Sequence, residues 1–190
     1  MDFLMFIQRG SIYKSEEGSK KMREFIKEYK QSVPALRFIG KKYGDSANGY
    51  GTMWQEWFEN GWFNIIEKQI DGKTKDTYED GDAYIGLIGG NGTEENPMEY
   101  WIGIFMPENT TVPEGFEYID FPKSKFGICW LYGKENELYG NYNQCVEKLI
   151  GEGFEFNADL PWCFERYACP RFTTPDEKGN VILDIGFFIK

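Results

Sequence analysis

What most constrains this chain is an order of elements that occurs twice: strand, helix, strand, strand. In the first pass, Leu36-Arg-Phe-Ile-Gly-Lys-Lys-Tyr43 reads as a strand. Tyr50, Met53, Trp54, Trp57, Phe58, Ile65, Ile66 and Ile70 then trace one wide apolar face at helical spacing. Gly61 interrupts that helix and predicts a kink or a division. An acidic connector from Asp71 to Asp82 leads to a strand over 83–89, and the turn Gly90-Asn-Gly92 returns the chain as a strand over 99–106. In the second pass, 116–121 and 125–132 read as strand, turn or bulge, strand. A helix carrying Tyr139, Tyr142, Val146, Leu149 and Ile150 follows, and strands over 162–167 and 181–189 end the chain. Two βαββ repeats, about 36–107 and 116–190, predict an α+β fold with pseudo-twofold symmetry. In it an antiparallel sheet carries two long helices on one face, with a ligand cleft between them.

Residues 1–33 read as a separate N-terminal helical extension ahead of a domain spanning 34–190. Met22, Phe25, Ile26 and Tyr29 lie at i, i+3, i+4 and i+7, Ser19 offers an N-cap, and Pro34 closes the segment. The cluster Lys20, Lys21, Arg23, Lys27 and Lys30 reads as the solvated face of that helix, since one helix has no partner to form a helix-turn-helix.

Composition removes whole classes of function. The chain has no histidine, which excludes Ser-His-Asp and Cys-His catalysis and any His-ligated metal. A net charge of −10 over 190 residues argues against binding to a phosphate backbone. No CxxC pair exists among Cys129, Cys145, Cys163 and Cys169, so they read as small buried hydrophobes in a reducing compartment, with no metal and no cofactor expected. No apolar run approaches the roughly 18 residues of a membrane span, and Met1–Arg9 lacks the basic start of a signal peptide. A cytoplasmic protein, monomer or homodimer, without nucleic-acid or membrane partners is the expectation. Gly89–Gly92 is read as a hairpin turn, because another strand follows it where a phosphate loop needs a helix. The acidic residues of 71–82 fail calcium-loop spacing and read as a solvated connector.

What remains is an aromatic excess, 16 Phe, 12 Tyr and 6 Trp, and one acid in an awkward place. In Trp162-Cys-Phe-Glu-Arg-Tyr167, alternation puts Cys163, Glu165 and Tyr167 on one face and Phe164 and Arg166 on the other. A carboxylate between a thiol and a phenol in a central strand is either paired or facing a pocket, since burying it alone costs several kcal/mol or drives it neutral. As the anion of an aromatic pocket, Glu165 would attract cationic or polarised apolar ligands. Trp54, Trp57, Trp101, Trp130, Tyr132, Tyr142, Tyr167 and Phe188 are the candidate walls.

These strings together carry a resemblance. Pro161-Trp-Cys-Phe-Glu-Arg-Tyr167, the closing Val181–Lys190, Trp54-Gln-Glu-Trp-Phe58, Tyr84-Ile-Gly-Leu87, Glu99–Gly103 and Pro113–Pro122 stand in the order of the GyrI-like small-molecule-binding family. That family includes effector-binding domains of AraC- and MerR-type regulators and free-standing relatives, and the likeness covers roughly residues 34–190. The resemblance implies the two-repeat fold and a cleft that binds lipophilic, often cationic, effectors on a glutamate at the position of Glu165, a multidrug- or toxin-binding role. It also implies two alternatives. One is hydrolysis of cyclopropane-containing DNA-alkylating toxins, with Glu165, Tyr132 and Tyr167 as the catalytic groups. The other is inhibition of DNA gyrase through protein contact.

Overall fold

The computed structural model describes residues 23–44, 49–70, 73–90 and 93–190. Its strands are β1 (Glu24–Val33), β2 (Leu36–Tyr43), β3 (Tyr84–Gly89), β4 (Glu99–Pro107), β5 (Glu117–Phe121), β6 (Ser124–Gly133), β7 (Cys163–Tyr167) and β8 (Val181–Ile189). Its helices are α1 (Tyr50–Glu59), α2 (Trp62–Glu67), α3 (Glu135–Leu138) and α4 (Tyr142–Gly151). All eight strands join one antiparallel sheet in the order β1-β6-β8-β7-β3-β4-β2-β5. The fold is α+β, as the sequence predicts. The order reads the same from both edges when β1–β4 are exchanged with β5–β8, and the first strand of each half lies on the edge of the other half.

The N-terminal element differs from its expectation. The segment read as an N-terminal helix is a strand from Glu24 onward, paired with β6 along its length; Ser19, Lys20, Lys21 and Met22 lie outside the described residues. The cause is a bulge between Phe25 and Lys27 that inserts Ile26 and reverses the alternation. Phe25 therefore packs on one face of the sheet while Tyr29 and Val33 pack on the other. Two short period-2 runs joined out of phase mimic the spacing of one helical face. The break placed between residues 33 and 34 consequently does not divide the sheet.

Elsewhere the expected strands form, while the second helix starts only at Tyr142, Tyr139 lying in extended backbone after α3, and Asp80 of the acidic connector is tied to Arg166 and Arg171 instead of being merely solvated. Gly61 divides the first helix into α1 and α2 by adopting φ 63°, a left-handed conformation that costs a residue with a Cβ. The antiparallel pairing of β3 with β4 makes the 89–92 stretch a hairpin connection, with Asn91 and Gly92 themselves outside the described residues. Three of the cysteines are buried, as expected, whereas Cys169 is exposed.

The sheet has two faces with different cores. Leu36, Phe38, Ile85, Leu87, Trp101, Phe105, Phe126, Ile128, Phe164 and Phe188 share one cluster on the face away from the helices. Phe105 on β4 and Phe126 on β6 are four strands apart, about 19 Å on a flat sheet at the usual strand spacing. Their ring centroids are 5.7 Å apart, so the sheet curls round until its inner face meets itself. On the outer face α4 packs over Cys129, Leu131, Leu183 and Ile185, while α1 and α2 pack over Ile39, Ile102 and Ile104. β7 and β3 run between these two helix-covered patches, and the candidate site lies there.

Candidate functional site

Alternation along β7 sends Phe164 into the inner core and Glu165 to the helix side. Glu165 is 5% exposed. Three phenols converge on its carboxyl from separate elements. Tyr142, in the first turn of α4, donates to Oε1. Tyr167, further along β7, donates to Oε2 at 2.7 Å, and Tyr100 of β4 donates to the same oxygen at 3.4 Å. Trp54 of α1 extends the network, its Nε1 donating to the Tyr100 hydroxyl at 2.9 Å. Its ring also stands edge-on to Tyr167 with centroids 4.6 Å apart. Tyr50 covers Tyr100 at 4.3 Å, and Phe172 meets Tyr167 edge-on at 4.8 Å.

The room for this meeting comes from Gly86, which faces Glu165 across the β3–β7 ladder. A Cβ there would stand 2.5 Å from the Tyr100 hydroxyl oxygen and 3.2 Å from Glu165 Oε2. Any other residue would push the phenol and the carboxyl off β3.

Among the described residues no lysine or arginine pairs with Glu165, and the groups acting on it are the three phenols. Burial raises its carboxyl above the usual range, and the hydrogen bonds from Tyr142, Tyr167 and Tyr100 oppose that rise in part. Burial and then the Glu165 charge push Tyr100, Tyr142 and Tyr167 well above an ordinary phenol. Cys163 is raised for the same two reasons.

Directly behind, on the inner face, the next residue has the opposite solution. Arg166 is fully buried and donates to Asp184 at 2.8 Å, to Gln31 at 2.7 Å and to the Tyr29 hydroxyl at 2.8 Å. Arg171 joins Asp184 to Asp80, forking onto the latter at 2.9 and 2.7 Å. Burial works against the charge on Arg166, but Asp184 and its other neighbours outweigh it and the group stays a cation. One strand thus carries a fully paired charge on one side and a carboxyl without a counter-ion on the other.

Of the walls expected from sequence, Trp54, Tyr142 and Tyr167 gather at Glu165. Trp57 lies on the same side of the sheet but deep in the core of the first half, its Nε1 on the Tyr43 hydroxyl and its ring against Phe63. Trp101, Trp130 and Phe188 belong to the inner face, so the sheet separates them from Glu165. Tyr132 does not reach the site either. It follows Trp130 on β6 in the same phase, and its hydroxyl donates to Asp176 at 2.5 Å and accepts from Asn180. Tyr100, Tyr50, Gly86 and Phe172 also belong to the candidate site, beyond the walls the sequence suggests. Tyr100 stands next to Trp101 on β4, and adjacent residues of a strand face opposite ways. The register that tells them apart is set by pairing with distant strands.

No curated protein matches the chain significantly. A family model described as integron-associated effector binding protein matches residues 30–185. The chain belongs to this effector-binding family. Solved structures share the GyrI-like fold. SAV2435 bound to tetraphenylphosphonium aligns over 87% of this effector-binding protein and 94% of its own chain, at 14% identity and a TM-score of 0.59. The C-terminal domain of EcmrR covers 86% and 97% at 13% identity, TM-score 0.53. An integron cassette protein from Vibrio cholerae covers 90% and 100% at 10% identity, TM-score 0.51. Among the described residues of the effector-binding protein, no helix is long and apolar enough to cross a membrane. No group of three or more Cys, Asp or Glu among them is arranged to hold a metal.

Proposed function

We propose that this effector-binding protein takes up a hydrophobic aromatic cation, seating its charge against Glu165 between the ring faces of Trp54, Tyr50, Tyr100, Tyr142 and Tyr167. The observation that carries the reading is a buried carboxyl with phenol donors but, among the described residues, no cation of its own. Such a group is costly to ionise until a positive charge arrives, and then contributes far more than it would in water. Ring faces add cation–π attraction of roughly 0.5–2 kcal/mol each where water is excluded. The occupant of a neighbour with the same fold, tetraphenylphosphonium, has this chemistry, a delocalised cation wrapped in rings. A ligand gains access by displacing the partly exposed rings of Trp54, Tyr142 and Tyr167, which close over the carboxyl.

Titration with tetraphenylphosphonium at pH 8, followed by tryptophan fluorescence, tests it. Trp54 lies in the site, so its emission changes on binding. Glu165→Gln keeps the shape but removes the charge, and is expected to weaken binding about tenfold or more, at least ~1.4 kcal/mol. A wild-type protein that leaves its fluorescence unchanged up to the solubility limit of the salt would sink the proposal.

A second reading has one observation in its favour: phenols and a carboxyl of raised pKa at one point are also what acid–base hydrolysis of a strained electrophile requires. In that reading Glu165 handles the water, and Tyr142, Tyr167 and Tyr100 supply the donors in place of Tyr132. Mass spectrometry of a cyclopropane substrate after long incubation at high protein concentration decides it, by the presence or absence of the water adduct. The gyrase-inhibitor reading rests on net charge alone, and the geometry adds nothing to it.

A further inference from the structure

Glu165 has a property that the cation-binding reading does not by itself require. Its carboxyl is almost fully enclosed, among the described residues it meets only neutral donors, and the charged cluster on the far side of the strand is internally matched. There Arg166 and Arg171 are balanced by Asp80 and Asp184, so that the positive charges there are already taken. A carboxyl enclosed this way is either neutral, with a proton on one oxygen, or ionised with a cation alongside.

Resting on the cation-binding reading, we infer that uptake at Glu165 is a one-for-one exchange of a cation for a proton. The ligand-free protein holds Glu165 as the carboxylic acid, and the arriving cation expels that proton to solvent. Charge balances: acid plus a monocation gives carboxylate–cation pair plus H⁺, and no bond other than O–H changes. The site therefore keeps the same net charge empty and filled, and neither state buries an uncompensated ion.

The surrounding groups leave Glu165 as the one that moves. From β7 it is faced by Tyr167 and Cys163, from β4 by Tyr100, and from α4 by Tyr142. α1 contributes Trp54, which does not titrate, and the phenol of Tyr50 against Tyr100. The α3–α4 turn contributes Tyr139, whose hydroxyl is bound to Glu135 at 2.8 Å. β3 presents Gly86. Tyr100, Tyr142, Tyr167, Tyr139 and Cys163 are all displaced upward, away from neutrality, mainly by burial. The three hydroxyls also have a use in both states, since each can donate to a carboxylate or accept from a carboxylic acid by rotating its O–H.

Tetraphenylphosphonium is the right probe because its charge is fixed at every pH, so any pH dependence belongs to the protein. Binding is measured by calorimetry from about pH 4.5 to 8.5, at each pH in two buffers of different ionisation enthalpy, which counts protons released. On the acid side the affinity is expected to rise about tenfold per pH unit with close to one proton released per ligand, and both effects fade to zero at higher pH. Glu165→Gln should bind weakly, at one affinity throughout and with no proton released. If tetraphenylphosphonium binds the wild type equally well at all pH values and releases no proton, the exchange is overturned while the binding reading stands. If it binds at no pH, both fall. A pH slope that persists in Glu165→Gln assigns the proton to another group and also overturns the inference. The wild-type proton count needs no variant, so a Glu165→Gln protein that fails to fold does not spare it.

Discussion

Two neighbouring residues, Glu165 and Arg166, show how alternation sorts charge in a strand. Arg166 is neutralised at fixed geometry and serves the fold. Glu165 has no cation beside it among the described residues, and the fold bears the cost of holding it. That cost has a pH signature. Burial raises the Glu165 pKa, so the folded chain binds its proton more tightly than the unfolded chain does. The associated stability is complete below the unfolded carboxyl value of about 4.3 and is lost as pH rises through the folded value. Without ligand, Glu165→Gln should therefore melt above wild type at pH 8, with the difference closing at pH 4. Parallel melting curves at the two pH values would contradict this. The acid was legible in the sequence because period 2 within one strand needs no tertiary information. The walls were legible only in part. Trp101 and Trp130 looked as suitable as Trp54, and what excludes them is which side of a curled sheet they occupy, a fact set by β4 pairing with β3 and by β6 pairing with β8.

Among the elements, β1 departs furthest from its expectation. As a helix it would be an appendage; as a strand it covers the edge of β6 and delivers Tyr29 and Gln31 to Arg166. Its apolar spacing matches a helix only because a bulge reverses its phase at Ile26, and single-residue bulges leave no mark in a hydrophobicity pattern. The consequence is checkable by truncation. A chain begun at Pro34 loses Tyr29 and Gln31, two partners of the buried Arg166, bares the long edge of β6, and is expected to aggregate or to melt without cooperativity. A chain begun at Arg23 keeps the whole strand and should behave as the full protein does. Circular dichroism melts and size exclusion compare the two directly, and equal behaviour would show β1 to be dispensable. The division at Gly61 was readable for the opposite reason: a glycine among helical apolar residues is a local signal, and its φ of 63° is a local answer.

Taken whole, the molecule has one inner core although its sequence is arranged in two halves. Phe105 and Phe38 come from the first half, Phe126, Phe164 and Phe188 from the second, and they interlock at centroid distances of 4.8–5.7 Å. Phe126→Ala removes a ring that touches Phe105, Phe164, Phe188 and Tyr78, and should cost about 3–5 kcal/mol. Because both halves share that ring, urea unfolding should keep a single transition at a lower midpoint; two separated transitions would mean that the halves fold independently. The palindromic strand order also bears on synthesis. β1 emerges ahead of β2, yet its partner β6 lies about a hundred residues further along, Glu24 meeting Tyr132 and Val33 meeting Ser124. β5, by contrast, finds β2 already made. On the ribosome, β1 therefore waits unpaired while β2, β3, β4 and β5 emerge and find one another, and a bare edge has to be tolerated until β6 follows.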